Sequence, residues 1–392
     1  MKILLLAPHP FYQDRGTPIA VRLILQVLSE RGDSVDVLTY HEGEEIRLPN
    51  VNIRRICRPP LVRNVPPGPS WKKLVCDAFM LAALIPMVIR TRYDLIHAVE
   101  ESVFMARAAR LLRRTPYVYD MDSSMAQQVV EKFRALRPLS ALLGWFEARA
   151  IRGAVAVVPV CDALAELAGK RGARKIVILR DISLLSPPWA PAPAGLTPVA
   201  RDGRITFMYV GNLETYQGMD LLIESFAAVV ARRPDARLVV AGGAAGDIRK
   251  YRRKADDLGV ASLVEFLGPK PLSMMGTLFE TADVLVSPRI KGNNTPMKIY
   301  SYLDSGKPIV ATDLPTHTQV LTPEVAALAR PDREDFARAM LSLAESPELR
   351  ARIAAAAKAL AQSLYSFPVY RRTLCGLYDE LGAALAARGE KV

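Results

Sequence analysis

Short apolar segments alternate with segments of helical periodicity along most of the chain. In the first half the apolar segments begin at Lys2 (KILLLAP), Ser34 (SVDVLTY), Tyr93 (YDLIHAV), Tyr117 (YVYDM), Ala154 (AVAVVPV) and Lys175 (KIVILR). Between the first two, one apolar stripe recurs at helical spacing: Ala20, Leu23, Ile24, Val27 and Leu28. Nearly continuous apolar strands separated by amphipathic helices predict a parallel sheet that is covered on both faces.

A second series of the same kind follows a break in this pattern. Five prolines lie between residues 182 and 203, and because proline removes backbone donors and disfavours helix, this segment is predicted to be a linker. The later strands begin at Arg204 (RITFMYVG), Ala236 (ARLVVAGG), Leu263 (LVEFLG), Ala282 (ADVLVSP) and Pro308 (PIVAT). After Pro331 the sequence becomes helical and rich in alanine.

The pattern predicts an α/β protein with two doubly wound, Rossmann-like domains and a helical tail. A length of 392 residues, half of them hydrophobic, is enough for two cores. We assign residues 1–185 to the first domain, 186–203 to a Pro-rich linker, 204–365 to the second domain and 366–392 to a final helix.

The chain is basic, with a formal net charge of +12, and most of the excess lies in the first half. Residues 1–190 hold 27 lysines and arginines against 18 aspartates and glutamates, whereas the remainder holds 25 against 22. Such a balance points to nucleic acid, an anionic membrane surface or a phosphate-bearing ligand. The basic residues lack the interleaved aromatics and the motifs of nucleic-acid binders, so nucleic acid is the least favoured partner.

Four cysteines are scattered without a C-x-x-C pair, which favours a reducing cytosol over a disulfide framework, a redox dithiol or a zinc ribbon: Cys57, Cys76, Cys161 and Cys375. The apolar start, residues 1–8, is interpreted as a buried strand because it lacks the features of a signal peptide. Residues 74–89 are the most apolar stretch but are too short to span a bilayer. Two interpretations of this stretch stay open, a core helix and a helix that touches an anionic bilayer.

Two loops that follow strands have similar sequences, and ligands of doubly wound sheets bind at such strand ends. They read Gly16-Thr17-Pro18-Ile19 and Asn294-Thr295-Pro296-Met297. In each loop we expect the threonine to cap a helix and the proline to take its first position. The free N–H groups of such a helix start can bind an anion such as a diphosphate.

The second half resembles the nucleotide-sugar half of the retaining glycosyltransferases of family 4, which have the GT-B fold. The similar segments include YVGNLETYQGMDLLIESF, ADVLVSP and NTPMKIYSYLDSGKPIVATD. The opening GTPIAVRLILQVLSERGDSVDVLT and the C-terminal tail resemble the same family. The resemblance implies two domains that face a cleft, an acceptor site in the first domain, a donor site in the second, and terminal helices that cross back to the first domain.

The sequence departs from the family at the donor diphosphate. In the family, an arginine follows the first glycine of the turn that here runs from Gly211 to Gly218, and a lysine precedes the second glycine. Asn212 and Gln217 stand at these two positions. We expect Lys298 to supply the missing charge, together with basic residues of the preceding loop, Arg289 or Lys291.

Other family positions also differ. The family's pair of glutamates falls on Asn293 and Ser301, whose side chains can still bond sugar or ribose hydroxyls. The expected donor site therefore comprises Gly211, Asn212, Gln217, Gly218, Arg289, Lys291, Asn293, Asn294, Thr295, Lys298 and Ser301.

The acceptor side is expected at the strand ends of the first domain. Asp122 stands where the family commonly has a histidine, and Asp122 or Asp120 is predicted to orient the acceptor or accept its proton. His9 ends the first strand and is a further catalytic candidate. The expected cleft residues are Gly16, Thr17, Glu100 and Glu101. The D-x-D triplet at residues 120–122 is common by chance, so no metal site is predicted.

These observations predict a cytosolic, metal-independent, retaining glycosyltransferase without a resident cofactor, peripheral at the inner face of the membrane. It moves a sugar from a nucleotide-diphosphate sugar to a cell-envelope glycan or a lipid-linked acceptor. Two alternatives stay open. One is a catalytically silent GT-B scaffold that binds a partner or a lipid carrier, which the missing donor residues favour, and the other is a nucleotide-sugar 2-epimerase.

Overall fold

The computed structural model describes residues 1–14, 16–66, 68–132, 138–189, 203–292 and 294–389. They form two compact units, which we call the N-terminal unit (Met1–Arg180 with Tyr370–Val392) and the C-terminal unit (Asp181–Val369). Each unit is built on a parallel six-stranded sheet with alternating helices. The predicted α/β class with two doubly wound domains is therefore confirmed.

In the N-terminal unit the strands are β1 (Lys2–Ala7), β2 (Ser34–Thr39), β3 (Val51–Arg55), β4 (Leu95–Val99), β5 (Tyr117–Met121) and β6 (Ala156–Pro159), in the sheet order β3-β2-β1-β4-β5-β6. The helices are α1 (Gly16–Glu30), α2 (Trp71–Arg90), α3 (Ser102–Leu112), α4 (Met125–Lys132), α5 (Ser140–Gly153) and α6 (Asp162–Lys170). The strand order reverses between β1 and β4, which is where ligands bind in such sheets.

In the C-terminal unit the strands are β7 (Ile205–Val210), β8 (Ala236–Ala241), β9 (Val264–Gly268), β10 (Val284–Ser287), β11 (Ile309–Thr312) and β12 (Ala327–Ala329), in the order β12-β11-β10-β7-β8-β9. The helices are α7 (Met219–Val230), α8 (Ala245–Asp257), α9 (Met275–Thr281), α10 (Lys298–Asp304), α11 (Pro315–Thr318), α12 (Arg333–Glu345) and α13 (Pro347–Leu364). The corresponding reversal lies between β7 and β10.

The last helix, α14 (Phe367–Gly389), belongs to the N-terminal unit from Tyr370 onward. Apolar burial and polar contacts hold it there. Tyr378 is fully buried, and the neighbouring Asp379 accepts from Arg31 at 2.7 Å. A second ion pair joins Arg371 to Glu30 at 3.1 Å. The crossing of the terminal helix to the first domain, which the family resemblance implied, is present.

Some strand predictions were wrong at the sheet edges. Residues 175–180 (KIVILR) do not form a strand. They run beside β6 as extended chain, with one bridge between Val157 and Ile176 and backbone hydrogen bonds from Val177 to Val157 and from Leu179 to Pro159. The short edge strands β3 and β12 were missed, since VNIRR is polar and half-exposed and ALA has only three residues. The predicted linker falls mostly on residues 190–202, which lie outside the described residues.

Helix α2 covers residues 74–89 and has one buried face and one exposed face. One face is buried in the unit and includes Cys76, Met80 and Leu84. The other face exposes large apolar side chains, with Leu74 at 71% and Trp71 at 61% exposed. Among the described helices, none combines the length and apolar character that a bilayer-spanning segment requires.

Candidate functional site

Two cationic side chains meet at the strand ends of the C-terminal unit. Arg289 lies two residues after β10, and Lys298 is the first residue of α10. Arg289 is 9% exposed and Lys298 is half-buried. Both were predicted from the sequence to bind the donor, and the structure brings them into one electrostatic neighbourhood, because the charge of Arg289 acts on Lys298.

Lys298 is held by neutral groups. Its Nζ lies 3.8 Å from the centroid of the Tyr209 ring and 3.5 Å from Oε1 of Gln217. Tyr209 is fixed in turn, because its hydroxyl donates to the carbonyl of Asn212 at 2.6 Å. A ring face and an amide oxygen attract an ammonium but carry no net charge, so the positive charge of Lys298 stays uncompensated.

Arg289 is held in the same way. Its Nε donates to the carbonyl of Lys291 at 2.7 Å, and one terminal nitrogen donates to Oδ1 of Asn294 at 3.2 Å. The guanidinium carbon lies 5.2 Å from the centroid of the Tyr216 ring. All of these partners are neutral. Within the part of the chain that the structure describes, no carboxylate forms an ion pair with Arg289 or Lys298.

The glycine turn that precedes α7 packs directly against this site. Gly218 has a left-handed backbone (φ 75°), and a Cβ there would lie 1.9 Å from the carbonyl oxygen of Pro288. A Cβ on Gly211 would lie 3.3 Å from Nζ of Lys298. The two glycines therefore let the turn approach the loop that carries Arg289.

Burial and mutual repulsion set the electrostatics of the site. Burial lowers the pKa of Lys298 well below its usual value, and the charge of Arg289 lowers it further. Burial also lowers the pKa of His317 to about 3, with the charges of Lys298 and Arg289 acting in the same direction. His317 is bonded to Ser287 and Thr312 at 2.9 Å and is therefore a neutral structural residue.

The two predicted helix starts were placed wrongly. Helix α1 begins at Gly16, so Thr17 lies in its first turn and is not its cap. Helix α10 begins at Lys298 with Met297 as its cap, so Thr295 precedes the helix. The physical reason is that Ile299 N–H bonds the carbonyl of Pro296, which closes the loop as a turn before the helix begins.

Thr295 has another feature of interest. It is 4% exposed, and its hydroxyl has no hydrogen-bond partner among the described residues. Because a buried hydroxyl without a partner is unfavourable, this group is available to a ligand. It lies three residues before Lys298, in the loop that Arg289 binds through Asn294.

The structure places the remaining predicted donor-site residues in different environments. Asn212 is exposed at the glycine turn, and Lys291 is exposed and contributes its carbonyl to Arg289. Ser301 differs from the prediction, because it is fully buried and its hydroxyl accepts from the N–H of Leu184 at 3.0 Å. Asn293 lies outside the described residues.

The catalytic candidates of the N-terminal unit lie at the ends of β1 and β5, the two strands that flank β4 in the sheet. Asp120 is 5% exposed, and its Oδ2 lies 3.3 Å from Nε2 of His97, so this carboxylate is engaged inside the unit. Asp122 follows β5 and is half-buried. His9 follows β1 and is 7% exposed, with its ring 6.1 Å from that of Phe11.

The two glutamates after β4 differ from each other. Glu100 is half-buried with a left-handed backbone (φ 47°), and its Oε1 accepts from Ser123 at 3.1 Å. Glu101 is buried, with its Oε1 2.5 Å from Nζ of Lys73. Burial raises the pKa of Glu101 to about 8, although the charge of Lys73 opposes this rise. Glu101 therefore joins α2 to the strand end, whereas Glu100 is the more accessible of the two.

Sequence reasoning missed Lys73 and Tyr378. Lys73 lies in the first turn of α2 beside other charged residues, and only its distance from Glu101 distinguishes it. The hydroxyl of Tyr378 forms a hydrogen bond with His97, which lies 281 residues earlier in the chain. No local sequence pattern indicates such a contact. In the described residues, no group of three or more His, Cys, Asp or Glu side chains is placed to hold a metal ion.

Two family models match the chain, one on each unit. Residues 15–180 match "Glycosyl transferase 4-like domain" and residues 198–360 match "Glycosyl transferases group 1". The two models together cover most of the chain and both describe glycosyltransferase domains, so the chain is a two-domain glycosyltransferase. This result agrees with the family resemblance of the sequence.

Curated relatives are similar over different lengths. The phosphatidyl-myo-inositol mannosyltransferase of Mycobacterium leprae is 24% identical over 404 residues, covering 100% of this chain and 99% of the relative. The phosphatidyl-myo-inositol mannosyltransferase of Mycolicibacterium smegmatis is 28% identical over 199 residues, and this match spans half of each protein.

Solved structures share the fold. The sucrose-phosphate synthase of Thermosynechococcus elongatus superposes with a TM-score of 0.78 at 19% identity, covering 98% of this chain and 99% of the other. Anabaena Alr3699/HepE in complex with UDP gives a TM-score of 0.74 at 16% identity, with coverage of 97% and 100%. At these identities the likeness shows the GT-B fold alone.

The uncompensated charge of Lys298 makes a prediction about stability. Lys298→Met keeps the apolar stem against Tyr209 and removes the buried ammonium, so we expect it to raise the free energy of unfolding by about 1 kcal/mol. The folded protein binds its Lys298 proton more weakly than the unfolded chain does. The wild type therefore loses stability as the pH falls below the unfolded pKa, until the folded pKa is reached.

The advantage of Lys298→Met should consequently widen when thermal unfolding is measured at pH 11, 10 and 9, a range that crosses the ordinary lysine pKa of about 10.4. The exposed Lys270 provides the matched control, and Lys270→Met should leave the melting temperature unchanged. A Lys298→Met variant that is less stable than the wild type at all three pH values would show that the ammonium is compensated.

Proposed function

We propose that this protein is a retaining, metal-independent glycosyltransferase that takes its sugar from a nucleotide-diphosphate sugar. The observation that carries the proposal is the pair of cations formed by the buried Arg289 and the half-buried Lys298, whose partners among the described residues are neutral. A diphosphate supplies two negative charges on adjacent groups. It would relieve both the desolvation of Lys298 and its repulsion by Arg289.

The same pair suits the chemistry of transfer. Negative charge develops on the diphosphate as the bond to the sugar breaks, and preorganised cations in a water-poor site stabilise that charge. Tyr209, Tyr216 and Gln217 hold the two cations in place before the ligand arrives. The unpartnered hydroxyl of Thr295 adds a donor or acceptor for the ligand.

The loss of the usual arginine and lysine is compensated in this proposal. Gln217, which stands where the family has lysine, lies 3.5 Å from Nζ of Lys298. The ammonium therefore reaches the neighbourhood of the missing side chain from α10 instead of from the glycine turn. This contact favours an active enzyme over a silent scaffold.

We assign the acceptor to the strand ends of the N-terminal unit. Asp122 and Glu100 are half-buried at these strand ends, whereas Asp120 and Glu101 are buried. A half-buried carboxylate can orient an acceptor hydroxyl and accept its proton. The acceptor class that we propose is a glycan or a lipid-linked molecule of the cell envelope. Relatives named for phosphatidyl-myo-inositol support this choice.

A basic and apolar surface supports a peripheral position at an anionic membrane. Arg58, Arg63 and Lys72 line a cavity of about 560 Å³ beside Leu61, which is 95% exposed. Trp71 and Leu74, in the first turn of α2, are the other large exposed apolar residues here. Apolar side chains that insert and cations that meet anionic headgroups are the two requirements for such binding.

Donor binding tests the site directly. Lys298→Met should weaken the affinity for UDP-, GDP- or ADP-sugars at least tenfold, about 1.4 kcal/mol, because it removes a charge-assisted contact. Titration calorimetry measures the dissociation constants, with Lys270→Met as the matched control. If Lys298→Met binds the donor as tightly as the wild type, Lys298 is not part of the site.

Product analysis separates the proposed activity from its alternatives. A transferase consumes the nucleotide sugar when an acceptor extract is present and retains the anomeric configuration. An epimerase changes the sugar without any acceptor, and a silent scaffold leaves the donor intact. We expect transfer to persist in EDTA, and loss of activity that Mn²⁺ restores would contradict metal independence.

Vesicle flotation tests the membrane surface. The double variant Trp71→Ser with Leu74→Ser should bind vesicles that contain anionic lipid at least tenfold less than the wild type, since two inserted side chains are lost. The matched control changes two exposed leucines of the C-terminal unit, Leu258→Ser with Leu364→Ser. Equal losses in the two double variants, or no wild-type binding, would contradict this part of the proposal.

A further inference from the structure

A chain of three buried polar side chains runs from the last helix to the strand that carries the catalytic candidates. The hydroxyl of Tyr378 on α14 lies 2.8 Å from Nδ1 of His97 on β4. Nε2 of His97 lies 3.3 Å from Oδ2 of Asp120 on β5. Tyr378 and His97 are fully buried and Asp120 is 5% exposed, so water does not substitute for any member.

The direction of each hydrogen bond follows from the chemistry of the groups. An ionised carboxylate only accepts, so Nε2 of His97 must carry the hydrogen that Asp120 receives. When the imidazole carries this one N–H, Nδ1 is the acceptor. Only the hydroxyl of Tyr378 is then left to donate to Nδ1. Tyr378 thus selects the tautomer that bonds Asp120.

Tyr378 is itself held firmly. Its ring stacks on that of His97, with centroids 6.2 Å apart and an interplanar angle of 21°, and the guanidinium of Arg31 lies 6.0 Å from its centroid on another side. Arg31 pairs with Asp33 and with Asp379, the next residue of α14. Burial raises the pKa of Tyr378 well above its usual value, so its hydroxyl stays protonated and able to donate.

The far end of the chain lies at the exit of β5. Asp120 is the next-to-last residue of that strand, and its carbonyl accepts from the N–H of Glu100 at 2.9 Å. Asp122 follows two residues later. Asp120 therefore contacts His97 through its side chain and Glu100 through its backbone, and a shift of the residue as a whole would move both Glu100 and Asp122.

We propose that Tyr378 is a positioning residue for the acceptor end of the N-terminal unit, acting through His97 on Asp120. The inference rests on the proposed function, because it assigns Asp122 and Glu100 to the acceptor. In this proposal the final helix does more than pack against the N-terminal unit. The hydroxyl of Tyr378 sets the side-chain arrangement on which the carboxylates of β4 and β5 depend.

The variant that tests this is Tyr378→Phe, and the chain offers a close control. The hydroxyl of Tyr93 donates to Oδ2 of Asp36 at 2.7 Å in the same unit. Tyr93 precedes β4 and therefore lies at the amino-terminal ends of the strands, opposite the ends that carry Glu100 and Asp122. Both substitutions remove one buried hydroxyl, and both should lower the melting temperature by about 2–4 °C. Only Tyr378→Phe should lower kcat, by about tenfold, with the donor KM unchanged.

A readout that does not need turnover keeps this inference separate from the proposed function. In ¹⁵N NMR spectra of the full chain, the wild type should show His97 with its proton on Nε2. Tyr378→Phe should mix the two tautomers and shift the amide signals of residues 120–123. Tyr93→Phe should change neither. An unaltered tautomer with unmoved signals in Tyr378→Phe overturns the inference, whether or not the enzyme is active.

Should the wild type transfer sugar, equal kcat values in Tyr378→Phe and Tyr93→Phe would also overturn the inference. Should the wild type be inactive with every donor, the proposed function fails, and the tautomer and amide signals alone decide whether Tyr378 positions the strand exit. The two failures are therefore distinguishable.

Discussion

The C-terminal unit depends on one unfavourable arrangement, two neighbouring cations with which no carboxylate of the described residues forms an ion pair. An ammonium removed from water beside a guanidinium raises the energy of the folded protein, and only neutral contacts offset that rise. The Tyr209 ring, the Gln217 amide and two carbonyl or amide oxygens at Arg289 supply these contacts. Each contact orients a cation while leaving its charge available to an anionic ligand.

Several local features of the C-terminal unit maintain this arrangement of two cations. The left-handed Gly218 lets the turn before α7 lie against Pro288, and Gly211 leaves space for the Lys298 ammonium. His317 is kept neutral and bonded to strand residues, so it adds no third charge. In the N-terminal unit, Asp120 and Glu101 are buried beside His97 and Lys73, whereas Asp122 and Glu100 are half-buried.

The sequence was informative wherever the physics is local. Continuous apolar runs located both sheets, and the match of the Tyr117–Met121 strand to its prediction reflects complete burial of that strand. The importance of Arg289 and Lys298 followed from their place after a strand. Edge segments such as residues 175–180 were misjudged because an apolar pattern does not reveal whether a second strand pairs with the segment.

Contacts between residues that are far apart along the chain could not be predicted from the sequence. The burial of Ser301, the pairing of Lys73 with Glu101 and the meeting of Tyr378 with His97 all depend on the packing of elements that are far apart along the chain. The start of α10 was predicted too early because Thr-Pro favours a helix start in isolation, whereas here the loop closes first as a turn.

The central claim is that Arg289 and Lys298 bind the diphosphate of the donor. The most direct test is a crystal structure of the wild-type protein with a bound nucleotide sugar. The account predicts phosphate oxygens within 3.2 Å, the upper limit of ordinary N–H···O distances, of both Nζ of Lys298 and the guanidinium of Arg289. A nucleotide sugar bound with its diphosphate away from both side chains would contradict it.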